Sequence, residues 1–165
     1  MYREEIEFTT KDEFCISTDK NLLDKDVIYN FLSKESYWLE GTSKELVEAS
    51  IENSILCYGV YVGDPRKGTP KQIGFARVVS DLVRYSWLGD VFILPAYRGK
   101  GLSKWLMTII TDNPRLKGTN FHLATRDAHT LYEQFGFQTV EKSEVSMSRP
   151  LDWDSINAIY NKERV

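Results

Sequence analysis

At 165 residues, with 42% hydrophobic and 27% charged residues, the chain is long enough to bury one core and too ordinary in composition to be disordered. A formal net charge of -3 and a pI near 5.5 speak against a nucleic-acid partner, which usually meets a basic surface. The two cysteines, Cys15 and Cys57, lack Cys-x-x-Cys spacing, so neither a disulfide framework nor a zinc site is expected and no metal is assigned.

The amino terminus, Met1 to Phe8, has no apolar leader, and no run approaches the roughly 20 residues of a membrane span. A cytoplasmic location, no membrane partner and a single domain over 1–165 are therefore expected. Glu5 to Phe8 and Phe14 to Ser17 alternate as a strand or hairpin. Leu23 to Ser33 carries Val27, Ile28, Phe31 and Leu32 at helical spacing. A second helix is expected from Thr42, where Glu45 completes a capping box and Leu46, Val47 and Ile51 face the core. Between these helices lies an aromatic loop, Ser36 to Gly41.

Ile55 to Val62 and Gln72 to Val79 read as strands around a polar turn, Gly63 to Pro70, which makes a hairpin with a mobile tip. Tyr85 to Leu94 is the next long strand. The helix after it places Leu102, Trp105, Leu106, Ile109 and Ile110 on one stripe suited to packing on a sheet. Asn120 to Ala124 is a short strand, and Ala128, Leu131, Tyr132 and Phe135 mark a helix ended by Gly136. Phe137 to Val140 and Val145 to Ser148 are expected to close the sheet as two further strands. The alternation of strands and helices predicts a mixed α/β fold.

Tyr97-Arg98-Gly99-Lys100-Gly101-Leu102-Ser103 lies between the apolar strand end Val91 to Pro95 and the amphipathic helix. Two glycines let backbone approach a ligand, and the helix begins with unpaired N–H groups and the positive end of its dipole, which together suit a pyrophosphate. The spacing is not that of a P-loop, and Lys104 stands where a dinucleotide fingerprint needs its third glycine. Nucleotide hydrolysis and hydride transfer thereby lose support.

With Arg98, Gly101 and the small Ser103, the loop resembles the acetyl-CoA loop Arg/Gln-x-x-Gly-x-Gly/Ala of the GNAT superfamily of N-acetyltransferases. Ala128-x-x-Leu131-Tyr132-x-x-x-Gly136-Phe137 resembles the later helix motif of that family, and the likeness covers roughly residues 71–147. It implies an α/β fold with one twisted mixed sheet of about six or seven strands and helices on both faces. It also implies acetyl-CoA as acyl donor, its pyrophosphate held by the Arg98 side chain and the amides of Gly99, Lys100, Gly101, Leu102 and Ser103. A backbone N–H near Ile93 would hold the thioester carbonyl. Thr125 stands where many members carry an asparagine that contacts the pantetheine arm.

By the same resemblance Tyr132 is the general acid, since a phenol can protonate the departing thiolate; otherwise it is an amphipathic core residue. Asp90 is the candidate general base, with a strand-start carboxylate bonded to a neighbouring turn as the equal alternative and a water chain as a substitute. His122 reads as an ordinary strand residue, and His129 stays unassigned. Tyr37, Trp38 and the tip from Gly63 to Pro70 either shape an acceptor pocket or, for the two aromatics, cap the core. Cys57 reads as a core residue, so no covalent enzyme intermediate is expected.

The resulting expectation is an acetyl-CoA-dependent N-acetyltransferase acting on a primary amine of a small molecule or protein by direct attack, as a monomer or homodimer. A non-catalytic acyl-CoA sensor or interaction domain is the alternative. A DNA-binding helix pair over Leu23 to Asn53 is opposed by its balanced charge.

Overall fold

The computed structural model describes residues 5–140 and 146–160. Its strands are β1 (Phe8–Lys11), β2 (Phe14–Ser17), β3 (Leu56–Val62), β4 (Lys71–Ser80), β5 (Tyr85–Ile93) and β6 (Asn120–Leu123), which form one sheet in chain order. Every neighbouring pair from β1 to β5 is antiparallel, whereas β5 and β6 run parallel. A parallel pair needs a long crossover, and this one contains α3 (Leu102–Asp112).

Alternation along the strands supplies two apolar faces, so a core forms on each side of the sheet. On one face Leu102, Leu106, Met107 and Ile110 of α3 pack against Tyr58, Val60, Ile73, Val78, Leu88 and Ile93. On the other, α1 (Lys25–Lys34) and α2 (Lys44–Glu52) bury Ile28, Phe31, Leu32, Val47 and Ile51 against Cys57, Phe75 and Phe92. Phe31 stacks on Phe92 with centroids 4.0 Å apart. The two shorter helices are α4 (His129–Glu133) and α5 (Trp153–Tyr160).

Some boundaries differ from the sequence expectation. The first strand is Phe8–Lys11 and not Glu5 to Phe8, because pairing is counted from the turn at Asp12-Glu13, where Lys11 faces Phe14. The cap of α2 is Ser43, whose Oγ accepts from the Leu46 N–H at 3.2 Å; Thr42 is used in the preceding turn, donating its N–H to Leu39. Phe137 to Val140 form no strand, and neither do residues 146–148; 141–145 lie outside the described residues. Phe137 instead donates its N–H to the Tyr132 carbonyl and packs edge-on against Phe121 and Tyr132, which ends α4 and uses that backbone. The helix α5 was not foreseen, although Asp152 caps it by accepting from the Ser155 N–H at 3.1 Å.

One irregularity positions the site. Gly74 pairs with Ile93 and Phe75 with Phe92, but Arg77 pairs with Gly89, so β5 spends an extra residue in a bulge. Asp90 sits in it with φ 55°, a left-handed conformation that Asp tolerates better than most side chains. Across the other edge, β6 pairs only with Tyr85 to Leu88. Beyond Leu88 the parallel strands part, and β5 has no β6 partner among the described residues.

Candidate active site

The glycine loop stands where the parting strands meet α3. A 3-10 turn over Pro95–Tyr97 leads into Gly99 and Gly101, at φ 77° and 75°, and no atom lies within 4 Å of where either Cβ would be. Both positive φ values suit glycine, and the open space lets a ligand reach the backbone. Gly101 is the cap of α3, with no side-chain hydrogen bond and no acidic residue in the first turn. The amides of Leu102, Ser103 and Lys104 therefore face a positive helix end. The Leu102 side chain is buried in the core, so only its amide is available to a ligand. Arg98 is exposed, and its Nε donates to the Ile93 carbonyl at 3.0 Å.

The direction of Ile93 follows from its neighbour. Leu94 donates its N–H to Ile73 at 2.8 Å, so in an antiparallel ladder the preceding residue turns its N–H and C=O away from β4. That direction is the gap left where β6 ends. Loop, gap and Ile93 thus share one edge of the sheet.

A cavity of about 940 Å³ lies on the α2 side of the bulge and brings Asp90, Thr125 and Tyr132 to one space; Arg98 to Ser103 do not line it. Asp90 is buried, with Oδ1 accepting from Trp38 Nε1 at 3.0 Å and Oδ2 from Arg77 Nε at 2.5 Å. Arg77 Nη1 also reaches Ser54 Oγ at 3.3 Å. Tyr132 is buried at the junction of this cavity with a second one, of about 730 Å³, along β6 and α4. Burial pushes its phenol up to about 12, and Tyr37 and Asp127 add to the rise. Thr125 Oγ1 accepts from the Ala128 N–H at 3.0 Å, which turns the chain into α4.

Tyr37 and Trp38 line the larger cavity, where Tyr37 Oη accepts from the Arg126 N–H at 3.0 Å. The tip from Gly63 to Pro70 contributes nothing to either cavity; Arg66 lies over the Phe8 ring and pairs with Asp64. His122 and His129 are exposed and line the smaller cavity. Cys57 is buried against the Ile51 carbonyl, and burial pushes its thiol up to about 11, so it holds no thiolate at neutral pH. Among the described residues no group of three His, Cys, Asp or Glu could hold a metal ion.

Sequence reasoning missed Arg77, Trp87 and the α5 residues Trp153, Ile156 and Tyr160, all of which line the larger cavity. Arg77 carried a signal, as a lone cation inside the otherwise apolar Ile73 to Val79. Pairing it with Asp90 requires the register of β4 on β5.

A family model described as an acetyltransferase (GNAT) domain matches residues 57–139, which run from β3 through α4 and include Asp90, the glycine loop and Tyr132. A crystal structure from Xanthomonas campestris pv. campestris, described as belonging to the GNAT family, is 40% identical and has a TM-score of 0.76, covering 84% of this chain and 93% of that one. A Gibberella zeae protein with acetyltransferase in its name is 29% identical over 115 residues, 62% of this chain and 65% of its own length. An uncharacterized N-acetyltransferase ycf52-like protein of Prochlorococcus marinus is 40% identical over 72 residues, 44% of this chain and 39% of its own. The chain therefore spans 65% and 39% of the lengths of these two curated relatives.

Proposed function

The chain belongs to the GNAT acetyltransferase family, and we propose that it moves an acetyl group from acetyl-CoA to a primary amine by direct attack of the amine on the thioester. The observation that carries this reading is the glycine loop at the start of α3, set beside the gap into which Ile93 turns its N–H. When bound, acetyl-CoA supplies an activated acyl group. The loop amides from Gly99 to Ser103, with the remaining donors of Arg98 and the Lys100 ammonium, would hold its pyrophosphate. The Ile93 N–H would hold the thioester carbonyl and stabilise the charge that develops there. Thr125 would line the path of the pantetheine arm, its hydroxyl accepting from the Ala128 N–H and keeping its own proton to donate.

Tyr132 would hold the proton that a leaving thiolate takes. Its raised pKa keeps the phenol protonated across the physiological range. Asp90 retains lone pairs beyond those given to Trp38 and Arg77, and these would accept from the acceptor ammonium and pass its proton on to water. The buried Cys57 thiol has no part in this scheme, which is why transfer is taken as direct. The proposal further takes 1–165 as one domain acting in the cytoplasm as a monomer or homodimer; among the described residues no helix is long and apolar enough to cross a membrane.

Isothermal titration tests the cradle. Acetyl-CoA and free coenzyme A are expected to bind saturably and ATP not to bind. Absence of both thioester and thiol binding would overturn the reading.

A further inference from the structure

We infer that the acceptor is a small monoamine carried on an aromatic body, seated in the cavity between α2, the β4–β5 bulge and α5. The inference rests on the transfer reading above and names its substrate class.

Of the twelve large apolar side chains left exposed among the described residues, six line this one concavity: Tyr37 (41% exposed), Trp38 (36%), Val79 (44%), Trp87 (45%), Leu151 (68%) and Trp153 (42%). Scattered exposed apolar residues are ordinary, but a contiguous patch of them marks a binding surface. Three of the four tryptophans line it, the exception being Trp105 on α3. Aromatic faces and edges favour a flat aromatic partner beyond the area they bury. A cavity near 940 Å³ is of the size that encloses a small organic molecule.

The charges decide among amines. The described residues lining the cavity include two cations, Arg77 and Arg126, and two carboxylates, Asp90 and Asp127. Arg77 is committed to Asp90, and the Arg126 guanidinium lies 3.9 Å over the Tyr37 ring. An amino acid carboxylate or a sugar phosphate would have only Arg126 to meet it, since Arg77 is held by Asp90. A polyamine would need a carboxylate for each ammonium, and beyond Asp90, which meets the reacting amine, the described lining offers only Asp127. A monoamine needs one carboxylate for its ammonium and aromatic contact for the rest, which is what the cavity offers. Protein termini are disfavoured as acceptors because α5 walls one side with Trp153, Ile156 and Tyr160, its end held at α2 by Ser43 Oγ donating to the Tyr160 carbonyl at 3.4 Å.

The test combines two readouts on the full chain. Coenzyme A release is followed with acetyl-CoA and 2-phenylethylamine, spermidine, lysine or glucosamine 6-phosphate, and each amine is also titrated against tryptophan fluorescence. The expected result is a kcat/KM for 2-phenylethylamine at least ~10-fold above the others, with saturable quenching; ~10-fold is worth about 1.4 kcal/mol. Trp87→Ala should raise KM for that amine at least ~10-fold with kcat nearly unchanged, and Trp87→Phe should restore most of it. If another amine is acetylated better and 2-phenylethylamine neither quenches nor turns over, the substrate class is wrong and acetyl transfer stands. Saturable quenching that Trp87→Ala removes, with no amine acetylated, would keep the aromatic site and sink the transfer reading. Neither binding nor turnover of any amine would sink both.

Discussion

Tyr132 concentrates the chemistry of the proposed reaction in one hydroxyl, buried on α4 where the two cavities meet. Its burial favours the neutral phenol, so the alkaline loss of activity expected of an acid with an ordinary pKa is displaced upward toward about 12. With an amine acceptor, kcat/KM should rise with pH as the ammonium deprotonates and show no fall by about pH 10, the ordinary range of a tyrosine. Tyr132→Phe should keep acetyl-CoA affinity while losing roughly 10²–10⁴ in kcat, the usual span for one general acid. Unchanged kcat in that variant would assign Tyr132 to the core alone. Parent and variant both binding acetyl-CoA without turnover would instead favour the sensor alternative. Tyr132 was legible in the sequence from its helix motif. The committed state of Asp90 was not, because Trp38 and Arg77 reach it from a loop and a neighbouring strand at sequence distances of 52 and 13 residues.

At the scale of elements, the strand, loop and helix from β5 to α3 carry the cofactor reading. Gly101 occupies a left-handed conformation, so Gly101→Ala should cost roughly 1–2 kcal/mol of backbone strain even though nothing crowds the added methyl. If the loop relaxes to relieve it, the amides lose alignment, and acetyl-CoA Kd should rise by roughly tenfold, about 1.4 kcal/mol, with unchanged far-UV circular dichroism. Equal Kd values would detach the loop from cofactor binding. The strong amphipathic stripe of α3 and the long apolar β3, β4 and β5 could be read directly, because each depends on a local period. Helix and strand ends were harder. Thr42 and Ser43 are both competent caps, and the choice fell to Ser43 because the loop before it places Thr42 in a turn with Leu39. Phe137 to Val140 have strand-like residues, yet the aromatic ring of Phe137 is better buried beside Phe121 and Tyr132 than extended.

The folded molecule buries several ionisable groups in their neutral forms, on the strands and on α4. Burial pushes Cys15 and Cys57 up to about 11 from an ordinary 9.0, raises Tyr132 to about 12 from 10.0, and raises Tyr58 and Tyr61 further. For each of these acids the folded chain holds its proton at a pH where the unfolded chain has lost it. The stabilisation is therefore fully present below about pH 9 and is withdrawn as pH rises through the values cited. Urea midpoints should be level from about pH 7 to 8.5 and fall steadily above pH 9 to 10; a midpoint that holds steady to pH 11 would contradict the burial of these groups.

The sequence by itself determined the mixed α/β alternation and the glycine loop at the start of a helix, since periodicity, paired glycines and a helix start are local properties of the chain. Only the tertiary structure decided the site. The bulge at Asp90, the parting of β5 from β6, the Arg77 pair and the aromatic walls from Trp38, Trp87 and Trp153 all depend on strand register and on packing between distant segments. Such contacts have no local period, because they arise where elements far apart in the chain must share one surface.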